Sequence, residues 1–255
     1  MNWLRNRGSR FFIRIGGFFF LIGATAFAIA YFTTDVPDPN EYVNSQATVI
    51  QYANGDEVGR IGAQNRTIIP LARIPLDLRH AVLAAEDKGF YSQGAFNPIA
   101  ILRGAINTSL GRGLQGGSTI TQQYAKTAFL TPDRTIQRKI IELIIAIKLE
   151  RNFTKQEIIT LYLNTVPFSE NVFGVSNASR TFFQKEPDRL TIEEAALLIG
   201  MINAPTKYNP NRNPKLALER RNLVLSRMAG QKYISADQAE ELRKLPIATN
   251  FKKLD

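Results

Sequence analysis

Two carboxylates define the chemistry this chain could perform, and both fall on helical stretches. Glu86 and Asp87 end the apolar run Ala81, Val82, Leu83, Ala84, Ala85, and Gly89, Phe90 and Tyr91 follow. An acid that closes an apolar helix is partly desolvated, which suits it to proton transfer. The same pair also fits a plain solvated helix end. Glu142 is the second acid, inside a run rich in isoleucine and leucine. Arg138 and Lys139 precede it by four and three positions, so the three share one helix face. Burying such charges is costly unless they are paired or face a cleft. A structural ion pair satisfies that condition. So does a cleft in which cations meet an anionic group beside a carboxylate.

Between the acids lies the stretch 113–126, GLQGGSTITQQYAK. Gly116 and Gly117 lead into Ser118, a good N-cap, and then into hydroxyls and amides at Thr119, Thr121, Gln122 and Gln123. A glycine-rich turn entering a helix presents free N–H groups and a positive dipole, which suits phosphate. Lys126 follows two turns later. The spacing is not that of a P-loop, and a plain polar loop fits equally well.

Composition removes other chemistries. Among 255 residues there is no cysteine, and His80 is the single histidine. Thiol nucleophiles, disulfides and cysteine- or multi-histidine-ligated metals are excluded, so acid–base work falls to carboxylates. His80, beside Arg79 at the start of an apolar helix, reads as structural. The formal charge is +10; residues 1–34 hold four arginines and no acid, leaving 28 basic against 22 acidic residues in the body. A basic body suits an anionic partner such as phospholipid or a phosphorylated substrate. No compact basic run, zinc-finger spacing or RNA-binding signature points to nucleic acid.

The elements that must position these groups follow. Residues 1–10 form a basic segment. Residues 11–33 form an apolar anchor close to the ~20 residues a helix needs to span a bilayer. Arginines before it and Asp35, Asp38 and Glu41 after it place the N-terminus in the cytoplasm and the body outside. A cleaved signal peptide is the alternative, since residues 28–30 read Ala-Ile-Ala. Residues 34–46 are a linker containing Pro-Asp-Pro-Asn. Residues 47–61 then predict a hairpin turning at Asn54-Gly55, the one sheet of note. Everything after residue 75 reads helical. Predicted helices cover 76–86, 98–110 (capped by Asn97) and 134–151, the last apolar on nearly every face and so buried and central. Thr154 with Glu157, Thr191 with Glu194 and Ser235 with Gln238 open three more, and Asn213-Pro214 opens one through 228.

Five successive segments resemble the peptidoglycan glycosyltransferase (transglycosylase) domain of class A penicillin-binding proteins and their monofunctional relatives. They are Glu86-Asp87-x-x-Phe90; Gln115 to Gln123 (QGGSTITQQ) with Lys126; Arg138-Lys139-x-x-Glu142 through Glu150; Lys155 through Tyr162-Leu163-Asn164; and Glu194 to Leu198 with Ala204-Pro205 and Tyr208-Asn209-Pro210. The likeness runs over residues 47–245, with 246–255 as a tail. It implies a mainly α, lysozyme-like domain with a small membrane-proximal lobe, and a reaction in which lipid II is polymerised into glycan strands with inversion and release of undecaprenyl diphosphate. Glu86 would be the general base, and Glu142 would assist departure of the diphosphate. Lys126, Arg138 and Lys139 would hold that diphosphate, with Ser118, Thr119, Gln122 and Gln123 lining the cleft. Asp87, Phe90, Gln115, Gly117 and Asn164 would complete the substrate-binding set. The resemblance implies no certain cofactor, though a divalent cation at the diphosphate is allowed. Its partners would be lipid II, the growing strand, membrane lipids and other cell-wall synthesis proteins.

Some residues depart from the family pattern. Gln93, Ala95 and Asn97 stand where the first motif has His, Gly and Asp, and Gln184 stands near a usual glycine. Two other functions share parts of this pattern: a lysozyme-like glycan-cleaving enzyme and a membrane-anchored scaffold of the cell-wall machinery. The stretch 220–252 resembles the lead into a penicillin-binding transpeptidase, but that domain's motifs are not found in a plausible context. The expectation is a monofunctional enzyme or part of a bifunctional one.

Overall fold

In the computed structural model the described residues are 7–36, 48–51, 57–61, 67–96, 117–131, 133 and 135–252. The first is a single helix, α1 (Arg7–Thr33). Its segment Arg14–Thr33 has a mean hydropathy of 2.0 and is long and apolar enough to cross a bilayer. The far end of α1 meets the body: Lys148 Nζ donates to the carbonyl of Thr34 and lies 4.9 Å from the centre of the Tyr31 ring.

The expected hairpin forms, with β1 (Thr48–Gln51) antiparallel to β2 (Glu57–Ile61). Its Asn54-Gly55 turn lies outside the described residues, as do the predicted helix 98–110, its cap Asn97, and Gln115 and Gly116. A second small sheet was not expected. β3 (Pro167–Ser169) pairs antiparallel with β4 (Val172–Phe173), a run too short to show a period. Gly174 closes it at φ 76°, and a Cβ there would stand 2.6 Å from the Asn164 carbonyl oxygen. Only glycine fits both conditions.

The helices follow as α2 (Leu76–Glu86), α3 (Ile120–Phe129), α4 (Ile136–Asn152), α5 (Lys155–Thr165), α6 (Val175–Phe183), α7 (Ile192–Ile202), α8 (Pro214–Gly230) and α9 (Ala236–Lys244). The capping predictions hold locally. Thr154 and Glu157 satisfy each other's backbone N–H groups at the start of α5, Glu194 accepts the Thr191 N–H at 3.0 Å, and Ser235 Oγ accepts the Gln238 N–H at 3.0 Å. Ser118 does not cap α3; the cap is Thr119, whose side chain accepts the Gln122 N–H.

The central helix is also not the predicted one. In α4, Ile136 is 82% exposed and Ile140 is exposed as well; burial begins at Glu142 and follows one face through Leu149. Composition alone could not show which isoleucines found a partner. α6 has all its residues but Arg180 buried, and α7 is covered over all eight residues from Ala195 to Ile202, chiefly by α8 and α2. At Gly200 an added Cβ would stand 3.2 Å from Arg220 Cγ, so α8 packs closely there. Residues 246, 250 and 252 bond to the body. Arg221, itself buried, donates to the carbonyls of Arg243, Leu245 and Pro246, and the Asn250 and Lys252 N–H groups bond to Phe182 and Thr181 of α6. His80 stacks on Tyr233 at 4.1 Å, and burial holds its imidazole below the usual value, in keeping with a structural role.

Candidate active site

Glu86 is the last residue of α2, and three helices converge on its carboxylate. From α3, Gln123 Nε2 donates to Glu86 Oε2 at 2.9 Å. From α5, the hydroxyl of the fully buried Tyr162 donates to Gln123 Oε1 at 3.0 Å, which fixes the amide with its nitrogen toward the acid. From α8, Arg220 Nη2 stands 4.0 Å from Glu86 Oε1, and the carboxylate side chain is only 9% exposed. That second oxygen is buried and accepts no hydrogen bond from the described residues. A buried acceptor without a donor is uncommon and needs a reason. α8 also caps the helix that carries the acid: Arg227 Nη1 donates to the Ala85 carbonyl at 2.6 Å and Gln231 Nε2 to that of Ala84 at 3.3 Å. These bonds satisfy carbonyls that a helix end leaves open. Burial, then the charge of Arg220, pulls the Arg227 guanidinium below its usual value, while Glu86 opposes the shift.

A second cluster stands on the other side of α3. Glu142 is 2% exposed and receives Arg138 Nη1 at 2.8 Å and Lys139 Nζ. Lys139 Nζ also donates to Ser118 Oγ at 2.9 Å and Gln122 Oε1 at 3.4 Å. Adjacent residues of a helix point about 100° apart, so Gln122 faces Lys139 while Gln123 faces Glu86. The start of α3 therefore separates the Glu86 carboxylate from the two cations paired with Glu142. Lys126, one turn along α3 from Gln122 and Gln123, is exposed.

The remaining candidates hold this frame together. Asp87 Oδ2 accepts the Ile120 N–H at 3.2 Å and thereby ties the end of α2 to the start of α3. Burial raises its carboxyl above the usual value, opposed by the N–H groups of Ile120 and Gly89 and by Lys155. Thr119 Oγ1 and Gln122 Nε2 both donate to the Ala95 carbonyl at 3.0 Å. Gly117 is half-buried just before them. Two more of the candidates are buried: Phe90 is in the core, with Lys155 Nζ 4.6 Å from its ring centre, and Asn164 has its amide bonded to Ile69 N and O and to Thr160 O. Lys155 also bonds the Gln93 carbonyl and Glu150, which accepts from Thr121, so the altered first loop is held from α3, α4 and α5. A separate surface cleft of about 540 Å³ beside α6 is lined by Arg180, Lys185, Glu186 and Lys252, among others, and holds neither Glu86 nor Glu142.

An acceptor on one side and cations on the other form the pattern of a displacement with an anionic leaving group. The Transglycosylase family profile matches residues 54–229, over half the chain. The chain belongs to the transglycosylase family. Within it, penicillin-binding protein 1A of Aquifex aeolicus is 42% identical over 230 residues, covering 89% of this chain and 32% of that protein. Penicillin-binding protein 1A/1B of Bacillus subtilis is 38% identical over 228 residues, covering 88% and 25%. A solved structure of penicillin-binding protein 1A from Haemophilus influenzae is 28% identical, with a TM-score of 0.47, covering 81% and 21%. This transglycosylase chain thus spans a third or less of the length of those relatives. Sequence reasoning missed Tyr162, Arg220 and Arg227 as neighbours of Glu86. Tyr162 stood only as part of the fourth resembling segment, with no partner assigned, and nothing in residues 214–230 announces which arginine turns inward.

Proposed function

We propose that this transglycosylase polymerises lipid II, the lipid-diphosphate-linked disaccharide-peptide, into glycan strands. The acceptor's 4-hydroxyl attacks the anomeric carbon of the donor. A bond forms from that oxygen to the carbon, the bond from the carbon to the diphosphate oxygen breaks on the opposite face, and the hydroxyl proton goes to Glu86. The observation that carries the reading is Glu86 Oε1, a buried carboxylate oxygen that receives no donor among the described residues and so keeps acceptor capacity unused. Arg138 and Lys139, oriented by Glu142, together with Lys126, hold the departing diphosphate and disperse its growing charge. Ser118 adds a hydroxyl through its bond to Lys139.

A divalent cation at the diphosphate is a poor match to these residues. The Glu142 carboxylate is already bonded to two cations, and no group of three acidic or histidine side chains gathers among the described residues. Any metal would be held by the substrate's own oxygens. The apolar helix Arg14–Thr33 suits a lipid-anchored substrate: it meets α4 at Lys148, six residues past Glu142. We place its N-terminus in the cytoplasm and the body outside, with membrane lipid, the growing strand and other cell-wall proteins as partners. Incubating the full chain in detergent with labelled lipid II should give moenomycin-sensitive glycan polymer, abolished by Glu86→Gln. Cleavage of purified glycan in place of polymer formation would refute the proposal.

A further inference from the structure

The site reading leaves two features unexplained: why a buried tyrosine reaches the amide beside the base, and why an arginine stops short of hydrogen-bonding it. We infer that Tyr162 and Arg220 are positioning residues that orient the Glu86 carboxylate and leave one of its oxygens without a hydrogen-bond donor; the inference rests on the reading of Glu86 as base.

Gln123 can present either end of its amide. The Tyr162 hydroxyl, donating to Oε1 at 3.0 Å, selects the orientation in which Nε2 donates to Glu86 Oε2. Burial, then the charge of Glu86, pushes the Tyr162 phenol well above its usual value, so it remains a donor at every working pH. Without that hydroxyl the amide is free to turn its oxygen toward the acid, an arrangement that favours the protonated carboxyl. Tyr162 thus acts on Glu86 through Gln123.

Arg220 supplies the charge. Its guanidinium lies 5.5 Å from the Tyr208 ring centre, and its stem is fixed against Gly200 of α7. From there Nη2 is 4.0 Å from Glu86 Oε1. A charge–charge attraction persists at that distance, but a hydrogen bond does not. The cation therefore favours the carboxylate without taking the lone pair that must receive the substrate's proton. A shorter contact would occupy the base. Among the described residues, other charged groups at this end of α2 are Arg227 on α8, which bonds the Ala85 carbonyl, and Asp87, which bonds Ile120. Neither Arg227 nor Asp87 bonds the Glu86 carboxylate.

The test uses the full chain in detergent, with two independent readouts for Tyr162→Phe, Arg220→Gln and Arg220→Lys. In steady-state polymerisation of labelled lipid II, Tyr162→Phe and Arg220→Gln should lower kcat roughly tenfold, a fraction of what a positioned base supplies, with KM within about twofold. The acid limb of the pH–rate profile should move up by about one unit. Arg220→Lys should restore most of kcat and of the profile. Without substrate, the infrared carboxylate band lost in Glu86→Gln should titrate at higher pH in both impaired variants. Lower kcat with an unmoved acid limb and an unmoved carboxylate band would mean a structural role only and overturn the inference. Polymerisation absent from the wild-type chain, with the carboxylate band moving as stated, would instead overturn the proposed function and leave the placement of Glu86 supported.

Discussion

Replacing Glu142 with glutamine separates the structural from the chemical part of this site. The carboxylate is 2% exposed and is the counter-charge of both Arg138 and Lys139. Removing one partner of a fully buried pair costs about 3–5 kcal/mol, because the other charge is left without compensation. The cost here should be smaller. Lys139 is half exposed and keeps its bond to Ser118, whereas Arg138, at 18% exposure, has no such outlet. We expect a loss of about 2–3 kcal/mol. Heat denaturation of the full chain in detergent should register this as a fall in Tm of ~5–10 °C, at about 2–4 °C per kcal/mol for a chain of this size. Replacing both Arg138 and Glu142 with leucine removes the buried charges together and should regain most of that stability. It should not regain polymerisation, because the leaving group loses Arg138 and Lys139 loses the acid that orients it. An unchanged Tm in Glu142→Gln, or an active double variant, would refute the assignment.

Three further outcomes test the local structure. Gly174→Ala should destabilise by about 2–3 kcal/mol in urea titrations, combining left-handed strain with a Cβ set against the Asn164 carbonyl; a loss below that of a surface glycine would argue against this backbone. Gln184 occupies the left-handed C-cap of α6 at φ 53°. Gln184→Gly should therefore stabilise by about 0.5–1 kcal/mol despite losing the bond to Asn250, and any destabilisation contradicts that account. Burial raises the Asp87 carboxyl above its usual 3.8, so its contribution is fully present below that value and lost as pH rises through the folded one. Asp87→Asn keeps an acceptor for the Ile120 N–H and escapes that loss. Its stability relative to wild type should grow from acid to neutral pH, and a constant difference would exclude the mechanism.

Much of this protein could be read one residue at a time. Leu76–Glu86 is a helix because its apolar period and its acidic end are local facts. Thr154 with Glu157 starts α5 because both partners of the cap lie within one turn, and the charges of Arg138, Lys139 and Glu142 meet because three and four positions are one helical turn. The apolar span of α1 needs only composition. What failed depended on residues far apart in the chain. Whether an isoleucine is core or surface depends on what packs against it, so Ile136 stands in the open while the shorter α7 became the centre. That Phe90 and Asn164 are buried against Lys155 and Ile69 is likewise set by residues far off in the chain. The acid Glu86 was legible in sequence. Its unoccupied oxygen was not, because that depends on Gln123, Tyr162 and Arg220, brought from three other helices and held at distances no spacing in the chain encodes.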